Sequence, residues 1–147
     1  MIRIALATML AALVAACGGG SAAPSPTPTI CPEFPVPAPP TLIYPISGAS
    51  GVPDGNFTLV IASFNSATPP PAVLVPASGG TNVTSGPARP APSPIPTPAA
   101  TPQPGQTMYG LAIGALAPGT TYNVTFTFGP IVPGCTGPET SGQFTTQ

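Results

Sequence analysis

The chain has 147 residues, of which 26 are proline, 17 are glycine and only five are charged, Arg3, Glu33, Asp54, Arg89 and Glu139, for a formal net charge of −1. With no histidine or lysine, it cannot build a Ser-His or Cys-His nucleophile pair, a histidine metal site, a Walker-type phosphate loop or a Schiff base, and a single arginine beyond residue 3 cannot neutralise a nucleic-acid backbone. A typical soluble domain is about one quarter Asp, Glu, Lys and Arg; here the fraction is 3%, so solubility rests on Thr, Ser, Asn, Gln and exposed backbone.

At the N-terminus, Met1-Ile2-Arg3 supplies one positive charge, and Ile4 to Ala16 is an uncharged run of thirteen apolar or small residues. A helical bilayer span takes about 20 residues, so the run is too short to cross and reads as the apolar core of a secretory signal. It ends in Leu13-Val14-Ala15-Ala16-Cys17, which resembles the lipobox of bacterial lipoprotein signals. The resemblance implies cleavage before Cys17, whose thiol then receives diacylglycerol and whose new amino group is often acylated with a palmitate-type chain. Two or three acyl chains anchor stably where one is marginal. The alternative is an ordinary signal cleaved after Ala16, with Cys17 incidental. The lipobox implies a bacterial cell envelope, and Gly18 lacks the aspartate that marks inner-membrane retention in enteric-type sorting, which favours the outer membrane where two membranes exist.

Residues 17–40 form a tether. Gly18-Gly19-Gly20-Ser21 leads into small residues alternating with proline, a composition that cannot bury enough apolar surface to offset its ordering entropy. From 18 to 30 it reaches roughly 40 Å at about 3.1 Å per residue. Eight prolines fall in 24–40, four in 69–76 and eight in 87–104, so the remaining segments are free to carry strands.

With Cys17 assigned to lipid, Cys31 and Cys135 are left as a pair in an oxidising compartment, which predicts one disulfide. It closes a loop of 104 residues, which the chain-entropy model values at on the order of 4 to 5 kcal/mol. Two cysteines without histidine or CxxC spacing make a poor zinc site, and no metal site or cofactor is expected.

Downstream the periodicity is that of strands. Phe57, Leu59 and Ile61 alternate with Thr58 and Val60; Tyr109, Leu111 and Ile113 alternate with Gly110, Ala112 and Gly114; Tyr122, Val124, Phe126 and Phe128 alternate with Asn123, Thr125 and Thr127. Thr41 to Tyr44, Val73 to Val75 and Gly142 to Thr146 are shorter candidates. Gly, Pro, Asn and Asp fill the connections, and no window of ten residues shows helical spacing. The fold class is all-β.

Leu116-Ala117-Pro118-Gly119-Thr120-Thr121-Tyr122 resembles the E–F corner of fibronectin type III and immunoglobulin-like domains. There a leucine ends one strand, Pro-Gly turns the chain, and the hydroxyl of a tyrosine bonds back to upstream backbone. Pro45 to Pro53 is similar to the first strand and A–B turn of bacterial domains of this class, and with Ser141 to Thr146 the resemblance spans about 41–147. It implies a seven-stranded antiparallel sandwich in which Leu116, Pro118, Gly119 and Tyr122 form the corner. The usual third-strand tryptophan is missing, so Phe57, Phe64, Phe126, Phe128 and aliphatics are expected to fill the core. The proline-rich run at about 86–106 is an insertion expected to be an exposed loop, either inert or used for docking, because proline lacks the donor a central strand needs. In such a sandwich Cys31, before the first strand, and Cys135, in the F–G loop, fall at the same pole.

Other motifs carry less. Asn56-Phe57-Thr58, Asn82-Val83-Thr84 and Asn123-Val124-Thr125 match the N-glycosylation pattern, but Asn/Thr alternation on a polar strand face accounts for them. Gly110 to Gly114 is a GxxxG match without the apolar helix that gives it meaning. Glu33, Asp54 and Glu139 lie in separate segments, so no facing carboxylate pair is expected. Three roles follow as expectations. The first is a non-catalytic binding or adhesion module, held to the membrane by its lipid and taking a protein or glycan ligand. The second is a structural accessory subunit of an envelope assembly. The third, enzymatic activity, lacks a general base near neutral pH.

Overall fold

The computed structural model describes residues 38–64, 67–128 and 137–147. These residues form nine β-strands and no helix: β1 (Thr41–Tyr44), β2 (Ala49–Val52), β3 (Phe57–Ser63), β4 (Val73–Pro76), β5 (Val83–Thr84), β6 (Arg89–Pro90), β7 (Thr107–Ile113), β8 (Thr121–Phe126) and β9 (Glu139–Thr146). A four-stranded sheet runs in the order β1-β3-β7-β6 and a five-stranded sheet in the order β2-β9-β8-β4-β5. Cys17, Cys31, Cys135 and Glu33 lie outside the described residues.

The strand count is nine rather than the expected seven, and β2 pairs parallel to β9 in an otherwise antiparallel arrangement. Two of the nine, β2 and β6, arise where the sequence reads as connection. After Tyr44 the chain leaves the first sheet: Pro45 has no N–H to offer a ladder, and Gly48, at φ 86°, turns the chain towards the second. There its N–H donates to the Gln143 carbonyl at 2.7 Å, and Ala49 and Val52 pair with Phe144 and Thr146. The segment read as an A–B turn is therefore a strand that has changed sheets. The other of the two, β6, comes from the proline-rich insertion.

Leu42, Leu59, Ile61, Leu74, Leu111, Ile113, Val124, Phe126 and Phe144 fill the space between the sheets. The period-two alternation places every second residue of β3, β7 and β8 on this inner face. Phe57 meets Phe144 edge-on with ring centroids 5.9 Å apart, and Phe126 stacks on Phe128 at 6.1 Å. Phe64, expected in the core, is instead 56% exposed: it lies past the end of β3 and on the opposite parity to Leu59 and Ile61. Phe144 takes a central place.

The insertion at 86–106 is not a free loop. Val60 and Ala62 of β3 and Ile43 of β1 point away from the inter-sheet core, yet all three are fully buried, beneath Ala91, Ile95, Ala99 and Ala100. The segment crosses the outer face of the four-stranded sheet as a strap, with most of its prolines exposed and its aliphatic residues turned inward. Buried Ser85 holds its entry, accepting from the Ala72 N–H at 2.9 Å and donating to the Gly86 carbonyl at 2.9 Å. Gly86 N–H then donates to the Ala112 carbonyl at 2.8 Å. Arg89 and Pro90 pair with Gly110 and Tyr109 at the β7 edge, and on the far side Ala100 N–H reaches the Ile43 carbonyl of β1 at 2.8 Å. Gln106 closes the excursion, its Nε2 donating to Thr41 Oγ1 at 3.1 Å. Proline is excluded from a central ladder, but not from an edge or from a segment lying across a sheet.

The register also places the connections. β8 ends and β9 begins at the same pole as the start of β1, since Thr41 pairs with Ala62 near the end of β3, β3 leads into β4, and Val73 at the start of β4 pairs with Thr125.

Because the strap shields Val60, replacing this side chain by the isosteric but hydroxylated threonine buries a polar group. Val60→Thr is expected to cost about 1–3 kcal/mol, read as a lowered urea midpoint at unchanged slope; a change within about 0.5 kcal/mol, as at an open surface, would show that the strap does not cover this face.

Candidate functional site

A concavity lies on the outer face of the four-stranded sheet, beside the strap. It exists because β7 presents Gly110 and Ala112 to this face while Leu111 and Ile113 point into the core. Without side chains of any size, the middle of β7 becomes the floor of a trough. Pro90 and Pro92 form one wall, Thr58 of β3 borders it, and the exposed Arg89 stands at its rim; the volume is about 380 Å³. A second, more open trough of about 540 Å³ continues past Thr58 and Ala112 to Asn56, Thr84 and Gly114.

Gly110 makes the first trough possible. A Cβ built there would stand 3.0 Å from the Thr58 Cγ2 and 3.3 Å from the Pro92 Cδ, closer than side-chain carbons normally pack. The glycine therefore admits the proline run onto the sheet. At Gly114, by contrast, a Cβ would meet nothing within 4 Å. The GxxxG spacing is thus strand alternation, and its first glycine serves close packing rather than helix association. The chemistry of the trough is narrow: one guanidinium, the Thr58 hydroxyl and backbone groups, with no carboxylate in its walls. It can make hydrogen bonds and van der Waals contact, and its lining offers no proton acceptor with a pKa near neutrality.

The residues of the predicted corner come together elsewhere, between β7 and β8. Buried Leu116 donates its N–H to the Asp54 carbonyl at 2.7 Å. Ala117 N–H donates to the hydroxyl of buried Tyr122 at 3.0 Å. Gly119, at φ 60°, donates its N–H to the Gln147 carbonyl at 2.6 Å. Thr146 ties the corner to β9, its hydroxyl donating to the Ala117 carbonyl at 2.7 Å and accepting from the Thr120 N–H at 2.9 Å. All of these bonds are internal, so the corner is a brace. Asp54 is exposed in the β2–β3 turn and Glu139 opens β9 at the other pole; the structure does not bring them together. Among the described residues no group of three or more His, Cys, Asp or Glu side chains could hold a metal ion.

Reasoning from the sequence misses Gly110, the inward set Ala91, Ile95, Ala99 and Ala100, and the sheet change at Pro45 to Gly48. One signal for the strap is nevertheless present. Leu59-Val60-Ile61-Ala62 is a continuous apolar run, the mark of a strand buried on both faces, and it requires something to cover the outer one.

Fold and site together define a class, a two-sheet β-sandwich carrying a proline strap, with shallow grooves of almost no charge. Comparison with protein families, with curated proteins and with solved structures found no match.

The Gly110 contact gives a paired test. Gly110→Val forces the Pro92 wall outward and is expected to destabilise by about 1–3 kcal/mol through overpacking, whereas Gly114→Val meets open space and is expected to stay within about 0.5 kcal/mol, both read by chemical denaturation; equal effects would remove the packing role given to Gly110.

Proposed function

We propose that this chain is a non-catalytic, lipid-anchored protein of the bacterial cell envelope, displaying an immunoglobulin-like or fibronectin type III-like sandwich as a binding or adhesion module. The observation that carries the anchor is Leu13-Val14-Ala15-Ala16-Cys17 at the end of a short apolar run. For the module, strand order supports the finer fold reading. With β1, β3, β7 and β6 taken as A, B, E and D, and β4, β8 and β9 as C, F and G, the sheets follow the ABED and CFG arrangement of that fold. In this reading β2 is a continuation of the first strand on the opposite sheet, and β5 is the short strand after C. The Tyr122 hydroxyl, bonded to backbone five residues upstream, supports it further.

Ligand contact then falls to the loops at the poles or to the sparsely charged troughs, where recognition works through shape, hydroxyls, backbone groups and, in the first trough, the single Arg89 guanidinium. The non-catalytic reading rests on the residue inventory, which has no histidine or lysine.

The anchor is tested by Cys17→Ser. The substitution is expected to move the protein from the membrane to the soluble fraction on cell fractionation, and unchanged membrane partition would overturn the anchor.

The disulfide between Cys31 and Cys135 is supported by the pole shared by the start of β1 and the β8–β9 connection. A non-reducing peptide map is expected to return the two cysteines in one linked peptide, and reduction is expected to lower stability by up to about 5 kcal/mol. Recovery of both as free thiols from protein alkylated in the intact cell would exclude the bridge.

A further inference from the structure

We propose that the strap is a modification site: Ser93, Thr97 and Thr101 are acceptors for O-linked glycosylation. They are the only hydroxyl side chains between residues 86 and 106. All three are exposed, and among the described residues none of the three hydroxyls takes part in a hydrogen bond. Ser93 lies between Pro92 and Pro94, Thr97 between Pro96 and Pro98, and Thr101 precedes Pro102. Hydroxyl residues set among prolines are the composition of O-glycosylated stalks, because chain without amide donors stays outside any ladder and open to an enzyme.

The fold adds what composition lacks. Ala91, Ile95, Ala99 and Ala100 are the inward positions of the strap, packed on Ile43, Val60 and Ala62. Ser93 and Thr97 fall between these anchors and Thr101 directly follows the last, four residues apart and all exposed, so a sugar on any of them leaves the inward packing in place. Hydroxyls elsewhere are often committed. Thr125 donates to the Val73 carbonyl at 2.8 Å, Thr121 and Thr145 share a bond of 2.8 Å, and Ser85 and Thr146 are buried. Ser78, Thr81 and Thr84 are exposed but have no proline neighbour, which makes them internal controls.

The transfer is a substitution at the anomeric carbon of a nucleotide- or lipid-phosphate-activated sugar. The side-chain oxygen forms the new C–O bond, the bond from that carbon to the phosphate breaks, and the hydroxyl proton passes to a base of the transferase. The product would hydrate a ridge that otherwise shows solvent mostly proline, on a chain with 3% charged residues.

The proposal rests on the export reading, and the test separates the two. The full chain is isolated from its native cell and digested with chymotrypsin, and the N-terminal peptide and the peptide ending at Tyr109 are mapped separately by electron-transfer fragmentation. Hexose-type mass increments on Ser93, Thr97 or Thr101, with Ser78, Thr81 and Thr84 unmodified, are expected. The triple variant Ser93→Ala, Thr97→Ala, Thr101→Ala is expected to lose every increment from that peptide while keeping its urea midpoint. A strap that is unmodified on processed chain, that carries phosphate instead of sugar, or whose increments fall only on other peptides overturns the proposal. An unprocessed Met1 peptide overturns the export reading independently.

Discussion

The structure depends on the double burial of β3. Leu59 and Ile61 face the second sheet and Val60 and Ala62 face outward, and all four are fully buried. An antiparallel sheet can leave one face to water, but a strand with apolar side chains on both faces needs both covered. The inner face is covered by the five-stranded sheet, through Phe126, Phe144, Val124 and Leu74. Among the described residues there is no helix or third sheet to cover the outer one. The chain covers it with the proline-rich strap, and Gly110, Ile95 and Ala100 stand where that packing needs them.

Proline suits this task. A strap of ordinary residues would carry one N–H per residue across an apolar face, each needing a partner. The run from Pro87 to Pro104 lacks eight of those donors, and one it retains near the far edge, on Ala100, is used on the carbonyl of Ile43. The same segment contacts both outer strands of the sheet, through β6 at the β7 side and Ala100 at β1. Exposed sheet edges invite pairing with other chains, and covering them matters more in a protein whose few charges give little repulsion between copies.

The accessible surface is correspondingly neutral. One arginine overlooks the trough on β7, and the carboxylates Asp54 and Glu139 lie at opposite poles. Recognition on such a surface works through shape, hydroxyls and backbone more than through an electrostatic field, which leaves long-range steering a minor part.

Strand identity was legible in the sequence wherever one face is apolar and the other polar, as in Tyr122 to Phe126, because a period of two carries its own signature. The corner at Leu116 to Tyr122 was legible for a related reason: Pro-Gly and a tyrosine at fixed spacing are local chemistry. Local pattern alone could not show that Pro45 to Gly48 switches sheets, because that depends on the free edge of β9 lying within reach. Nor could it show that the proline run lies down rather than projecting, or that Phe64 falls outside the core. Those outcomes were decided by tertiary structure: a proline-rich segment has no periodicity of its own, and its path is set by the nearest uncovered apolar surface, here the outer side of Val60 and Ala62, which exists only once the sheet has formed.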